Sequence, residues 1–434
     1  GLPCPKDSFR RRIPTRVVSV LLLFVVIGRQ GIAQTLQYQD SPFGIFGPYE
    51  TFLDSSTFVT KQQVNDYLKD IQAKWVQEMP RGNDLDTVLN SGAIIYSRAL
   101  PDLGNPRGPN LNYSSYEIYL KGILAKYKDK IKYWEVDTEP DLPLSLGGWK
   151  DYPEEYAKFL KFTYQIIKQE CSDCKVVFGG IGGTGIMIDS NYTKVQFLKK
   201  VLEAGGSKYF DIFEFKQHHH PAKDYTKLIK NKIEVYGKVL SQYGIDIKQM
   251  PVFIETATYD GTPKDPATGI FFPTQSESEQ AAGVIKTYIF ALAQGIDKIF
   301  WNLVVEHGPN KVTNGVFQNY GLVQNPRNDG KSHKKLSYYT YKKMVEVLEG
   351  SDWKNIQAIQ ESSGIYIYKF TKNGKPIWVA WNDSSITRTV TISGISLDRV
   401  KTTEAVPKYE SGKDVIDYAK AFQTDTLVVT NGAV

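Results

Sequence analysis

The sequence predicts an α/β protein: a (β/α)8 TIM barrel followed by a small, sandwich-like all-β domain. Three observations carry this. Eight short, β-rich apolar runs recur between residues 43 and 304, with starts about 36 residues apart. Amphipathic helical patterns lie between them, and strand then helix eight times over closes a barrel. Beyond residue 350 the apolar period becomes two, the mark of half-buried strands. The rival architecture is an open doubly wound sheet, which carries a dinucleotide signature early in the chain. No such signature stands in the first units. The expected division is a secretory leader over 1–33, the barrel over 34–350 and the β domain over 351–434.

Composition narrows the function classes. The chain has 434 residues, 41% hydrophobic, 23% charged and 13% aromatic, which excludes a disordered or collagen-like chain. Three cysteines are too few for a disulfide scaffold. The net charge of +6 is concentrated at the start: residues 1–33 hold six of the 53 basic residues and one of the 47 acidic. The rest is close to neutral, whereas phosphate binding calls for a basic surplus, so nucleic acid is not an expected partner.

At the N-terminus, Arg10, Arg11, Arg12 and Arg16 precede an apolar run over 17–27, and Gly31 and Ala33 stand at signal-peptidase spacing. This reads as a secretory signal peptide cleaved after Ala33. A spanning helix needs about 20 apolar residues, and Arg29 closes this run early. The mature protein is expected to be secreted or periplasmic, with no membrane contact after cleavage.

The eight candidate strands are 43–49, 73–78, 93–100, 133–139, 175–181, 210–218, 252–257 and 298–304. Candidate helices are 60–71, 115–128, 154–170, 194–204, 225–243 and 278–294. Barrel enzymes work at the carboxyl ends of their strands. The fourth strand ends Trp134-Glu-Val-Asp-Thr-Glu139-Pro140. Alternation puts Glu135, Asp137 and Glu139 on one face, pointing into the barrel, and Pro140 ends the ladder. Glu139 is left at the rim.

The fifth strand runs into Gly180-Ile-Gly182-Gly-Thr-Gly185, which fits G-x-G-x-x-G. A dinucleotide fingerprint opens a helix at once, and here the next helical pattern starts near Lys194. The run reads as a loop at the barrel mouth. Cys171 and Cys174, just before this strand, are either a local disulfide or two free thiols. In the sixth strand, Glu214, Lys216 and His218 share the inner face. Lys216 then pairs with Glu214 or Asp137, either as a plain interior ion pair or to lower the pKa of a nearby carboxylate. Successive residues of His218-His-His220 alternate faces, and no acidic or cysteine ligand stands near, so no metal is expected. The seventh strand closes on a single carboxyl, Glu255.

Two carboxyls on strands four and seven suit retaining glycoside hydrolysis, where one protonates the leaving oxygen and the other attacks the anomeric carbon. Trp134-Glu-Val-Asp-Thr-Glu139-Pro140 and Val252-Phe-Ile-Glu255-Thr resemble the acid/base and nucleophile strands of the clan A retaining glycoside hydrolases. The segments 280–285, 291–301, 321–323 and 338–342 are similar to the clan's last helix, eighth strand and closing segment. With its β domain, the chain is most like glycoside hydrolase family 39 and relatives. The resemblance implies Glu139 as general acid/base, Glu255 as nucleophile, a carbohydrate substrate and no cofactor. It places Trp301 at a sugar-stacking position; Tyr259 and Trp149 are further stacking candidates. Thr138, His218, Asp137 and Lys216 complete the expected substrate shell.

Three residues depart from the clan's pattern. Thr138 stands where an Asn binds the sugar 2-hydroxyl, Gln77 stands near the usual Arg, and Lys216 replaces a common His. Arg81 and Arg98 are the candidates to replace the missing Arg. These departures leave a non-catalytic carbohydrate-binding barrel as a second reading. The Gly180–Gly185 run leaves a dinucleotide-dependent oxidoreductase as a third.

Beyond the barrel, 364–370 and 376–381 alternate around Asn373-Gly374, a strong hairpin turn. Residues 387–392 and 426–429 read as further strands.

Overall fold

A computed structural model describes residues 20–24, 40–53, 59–100, 107–183, 187–218, 222–265, 269–308, 315–326 and 330–434. Eight parallel strands form the barrel: β2 (Phe43–Phe46), β3 (Trp75–Glu78), β4 (Ile94–Arg98), β5 (Tyr133–Val136), β6 (Lys175–Phe178), β7 (Phe213–His218), β8 (Val252–Ala257) and β9 (Lys298–Trp301). Neighbours in sequence are neighbours in the sheet, and β9 returns to pair with β2. Between β6 and β7 the ladder thins to the bridges Val177↔Ile212 and Ile181↔Phe215. A further strand, β1 (Val20–Phe24), lies outside the barrel.

The eight strands fall inside the eight apolar runs, and several stop short at the carboxyl end. The helices are α1 (Lys61–Asp70), α2 (Asp84–Val88), α3 (Tyr113–Tyr127), α4 (Pro153–Glu170), α5 (Thr193–Glu203), α6 (Tyr225–Ser241), α7 (Glu277–Ala293) and α8 (Leu336–Leu348). Thr60 and Gln63 form a capping box on α1, as Ser276 and Glu279 do on α7. Each box satisfies backbone donors that the first turn leaves unpaired.

Alternation sorts the strands into layers. The barrel floor is apolar: Phe46, Trp75, Tyr96, Val177, Ile212, Phe253 and Phe300 pack together there. Above it stand Gln77, Glu135, Glu214 and Lys216, all buried, with Lys216 one layer above Glu214 on the same strand. Residues of the opposite parity, such as Trp134, Phe215, Ile254 and Trp301, pack in the large cluster shared with the helices. This stacking lifts the charged groups to the carboxyl end of the barrel.

The C-terminal sheet is antiparallel, in the order β10-β11-β12-β1-β13-β14. Its C-terminal strands are β10 (Gln357–Ser362), β11 (Ile365–Lys372), β12 (Lys375–Asn382), β13 (Arg399–Glu404) and β14 (Thr424–Val428). Asn373 and Gly374 both take positive φ, as a two-residue hairpin turn requires. One sheet face packs Ile365, Ile367, Trp378 and Val400 under Ile392 and Ile395. The other lies on the barrel, where Lys286 meets Asp383 at 2.6 Å and the Trp381 indole donates to the Tyr225 hydroxyl at 2.8 Å. Helix α7 is accordingly buried on nearly all sides.

Residues 387–392 are not a strand. Ile392 instead exchanges backbone hydrogen bonds with Val434 beside the sheet. Cys171 and Cys174 form a disulfide just before β6, at the end of the barrel away from the mouth. Cys171, Asp173 and Cys174 are the one metal-spaced group among the described residues, and both sulfurs are consumed in the disulfide.

Candidate active site

The carboxyl end of β5 is built by a break in alternation. Glu135 points inward, where Gln77 Nε2 and Arg98 Nε donate to it at 3.2 Å each and Gly180 N at 3.1 Å. The next residue but one, Asp137, has φ +65°, and Glu139 has φ +44°. The inner face therefore ends at Glu135. Asp137 turns away from the barrel axis and binds Arg107 at 2.7 and 3.0 Å, the Trp149 indole at 2.8 Å and the Thr138 amide at 2.8 Å. The expectation that Asp137 faces substrate is corrected: it is a buried strut that shapes the turn carrying Thr138 and Glu139. Trp149 serves the same strut and is fully buried, so it offers no stacking face.

Glu139 is partly exposed at the mouth, with its amide donating to Gly180 O at 3.0 Å. A β-carbon on Gly182 would stand 2.9 Å from Glu139 Oε1 and 2.7 Å from Lys194 Nζ. One on Gly183 would overlap the Lys216 carbonyl and meet Lys232 Nζ at 2.5 Å. Close packing thus accounts for these two glycines. The next helix, α5, opens only at Thr193, so the run lacks the immediate strand-to-helix turn of a dinucleotide site. Residues 184 and 185 of that run lie outside the described residues. Asp141 anchors the turn, accepting from Gly182 N at 2.7 Å and pairing with Lys194 at 2.5 Å.

Glu255 follows the apolar start of β8, Val252 to Ile254, and is fully buried. Lys216 contacts its Oε2, Asn302 Nδ2 donates to its Oε1, and His218 Nε2 lies 3.1 Å from the same oxygen. Burial alone pushes this carboxyl up. The Lys216 charge and the His218 hydrogen bond overcome burial and hold it down at about 2. Lys216 feels the reverse: burial favours its neutral form, and Glu255 then Glu139 outweigh burial and keep it charged. Its ammonium also sits 4.3 Å from the Phe46 ring centroid. So Lys216 pairs with Glu255, not with Glu214 or Asp137. Glu214 lies deeper, taking a hydrogen bond from the Tyr96 hydroxyl. Burial and Glu135 push its carboxyl well above the ordinary range.

The missing Arg is not replaced by another Arg at Glu255. Arg98 binds Glu135 and Arg81 lies 3.5 Å from Glu78, so the cation on the carboxylate is Lys216. His218 stands at the site; His219 and His220 lie outside the described residues. The Thr138 hydroxyl and Asn302 Oδ1 are shielded and have no hydrogen-bond partner among the described residues.

Two stacking candidates are corrected. Trp301 has the outward parity of β9, is fully buried, and donates its indole N–H to Tyr320 O at 3.1 Å. Tyr259 is fully buried, stacked on Phe272 at 5.6 Å, with its hydroxyl donating to Pro273 O at 2.7 Å. Sequence reasoning missed Asn302 and Tyr320. The first was readable from parity, because an inward Phe300 implies an inward residue 302. Tyr320 gave no local signal, since a loop far along the chain brings its ring 5.5 Å from that of His218.

No family model matches the chain, and no curated protein does. Solved structures do. A family 39 glycoside hydrolase from the gut symbiont Bacteroides cellulosilyticus WH2 matches with a TM-score of 0.59 at 14% identity, over 93% of this chain and 80% of that one. A 4-O-α-L-rhamnosyl-β-D-glucuronidase from Fusarium oxysporum 12S matches at 0.55 and 13%, over 91% and 93%. A glucosidase from Croceicoccus marinus matches at 0.53 and 12%, over 91% and 94%. The likeness is one of fold. These structures are glycoside hydrolases, and this chain is similar to them in fold over nine-tenths or more of its length.

Proposed function

We propose that the chain is a retaining β-glycosidase acting on oligo- or polysaccharides, with Glu139 as general acid/base and Glu255 as nucleophile. The observation that carries this is the contrast between the two carboxyls. Glu255 is buried at the end of the seventh barrel strand and held ionised by Lys216 and His218. Glu139 is partly exposed at the end of the fourth. In the reaction, Glu139 protonates the glycosidic oxygen as that bond breaks. A Glu255 oxygen bonds the anomeric carbon, giving a glycosyl-enzyme. Glu139 then takes a proton from water, which attacks the same carbon and releases Glu255. The double displacement needs the carboxyls about 5–5.5 Å apart.

Two observations favour the second reading, a carbohydrate-binding barrel without catalysis. Lys216 contacts the nucleophile oxygen directly, and Thr138 is shorter than the usual Asn. A panel of 2-deoxy-2-fluoro glycosides with good leaving groups separates the readings by intact mass. A glycosyl adduct on the peptide holding Glu255, absent in Glu255→Gln, is the expected result. A folded protein that binds oligosaccharide and never forms an adduct is a binding protein.

Export is part of the proposal. Its support is the arginine-led apolar run over 17–27 and the Gly31/Ala33 spacing.

A further inference from the structure

Two loops beyond the strands of the nucleophile side are tied together. Lys264 bridges to Phe271 within the loop after β8, and to Gly315 in the loop after β9. Beneath them Ala257, Tyr259, Val316 and Tyr320 form a small buried cluster with Phe272 packed against it. Phe317 stands on that base in the 3-10 turn Val316–Gln318. It is 41% exposed, whereas Val316 and Tyr320 beside it are buried.

Phe317 is joined to the site by rings. Its centroid is 5.6 Å from that of Tyr320, and Tyr320 is 5.5 Å from His218, which contacts Glu255. On its other side His307 lies 6.1 Å away. Both neighbours meet Phe317 at 76°, so neither ring stacks flat against it. A flat apolar ring, 41% exposed and flanked by rings that do not stack on it, is what the C–H face of a pyranose stacks on. Two ring contacts, through Tyr320 and His218, separate it from Glu255. Ile270 and Phe271, 69% and 55% exposed, extend the same apolar rim.

We infer that Phe317, backed by Tyr320 and His307, is a stacking platform for a second sugar ring, so that the substrate is a saccharide chain and not a monoglycoside of a small aglycone. This rests on the glycosidase reading and names the residue that senses chain length. The test compares Phe317→Ala and Phe317→Tyr with the parent protein. The probes are 4-nitrophenyl β-D-glucoside, xyloside, galactoside and mannoside, and the matching cello-, xylo-, galacto- and manno-oligosaccharides of two to six units. In Phe317→Ala, kcat/KM is expected to fall about tenfold further on the oligosaccharide than on the monoglycoside, chiefly through KM, and Phe317→Tyr to restore it. Equal losses on both substrates, or a loss confined to the monoglycoside, overturn the platform while leaving the glycosidase reading intact. If the parent hydrolyses no glycoside, the glycosidase reading fails by itself. Calorimetric titration with the same oligosaccharides then decides the platform: weaker binding in Phe317→Ala supports it, and unchanged or absent binding overturns it.

Discussion

Glu255 is a fully buried carboxylate, touched by Lys216, His218 and Asn302. Burial is the largest influence on it and opposes its charge; Lys216 is the largest influence in favour. Removing Lys216 therefore shifts the balance towards the neutral carboxyl. With a folded pKa of about 2 against an ordinary 4.5, Glu255 binds fewer protons in the folded chain than in the unfolded one. Its contribution to stability is present above pH 4.5 and is lost as pH falls towards 2. In Lys216→Met the largest favourable influence on the carboxylate is gone, so its pKa rises and the acid limb of kcat/KM moves to higher pH. Breaking such a buried pair costs about 3–5 kcal/mol, measurable by urea unfolding at pH 7. An unmoved acid limb with parent stability would count against Lys216 as the residue that holds Glu255 ionised. Both carboxyls were legible because each ends a strand-like run. The partner of Lys216 was not, because three inward acids fit the same parity and only the fold brings one of them within reach.

At the level of elements, the decisive event is the early end of β5. The run 133–139 reads as seven alternating residues, yet the strand stops at Val136 because Asp137 and Glu139 turn left-handed. The cause is not local: Asp137 finds Arg107 and Trp149, from a loop and a turn that alternation does not foresee. That is why Asp137 was misplaced while the eight strands themselves were readable from their apolar pattern. The glycines after β6 belong to the same assembly, since the chain there passes against the end of β7. Gly183→Ala is expected to push the Lys216 carbonyl and Lys232 aside, costing about 1–3 kcal/mol by overpacking. Because Lys216 moves, activity on the preferred glycoside falls more than stability at the assay temperature alone explains. Thermal melts and single-turnover rates on Gly183→Ala check this, and a variant with parent values in both removes the packing account of the run.

For the whole molecule, the N-terminal apolar run has two incompatible uses. As a leader it is cut off after Ala33. In the uncut chain, Val20–Phe24 pairs with β12 through Val20↔Trp381 to Leu23↔Trp378 and with β13 through Leu21↔Glu404 to Phe24↔Lys401. It is the strand between them, and the sequence order of the sheet gives no substitute. Charge and apolar length are legible locally and point to export; the pairing is long-range and no pattern in the first residues announces it. Export predicts a mature chain that begins at Gln34 when the protein is recovered from the periplasm or medium and its intact mass is measured. In that form the amides of β12 and β13 that pair with β1 lose their partners, so they exchange hydrogen faster than the rest of the sheet, and the two new edges favour self-association. A mass that retains residues 20–24, with slow exchange in β12 and β13, would instead make the run a structural strand and sink the leader.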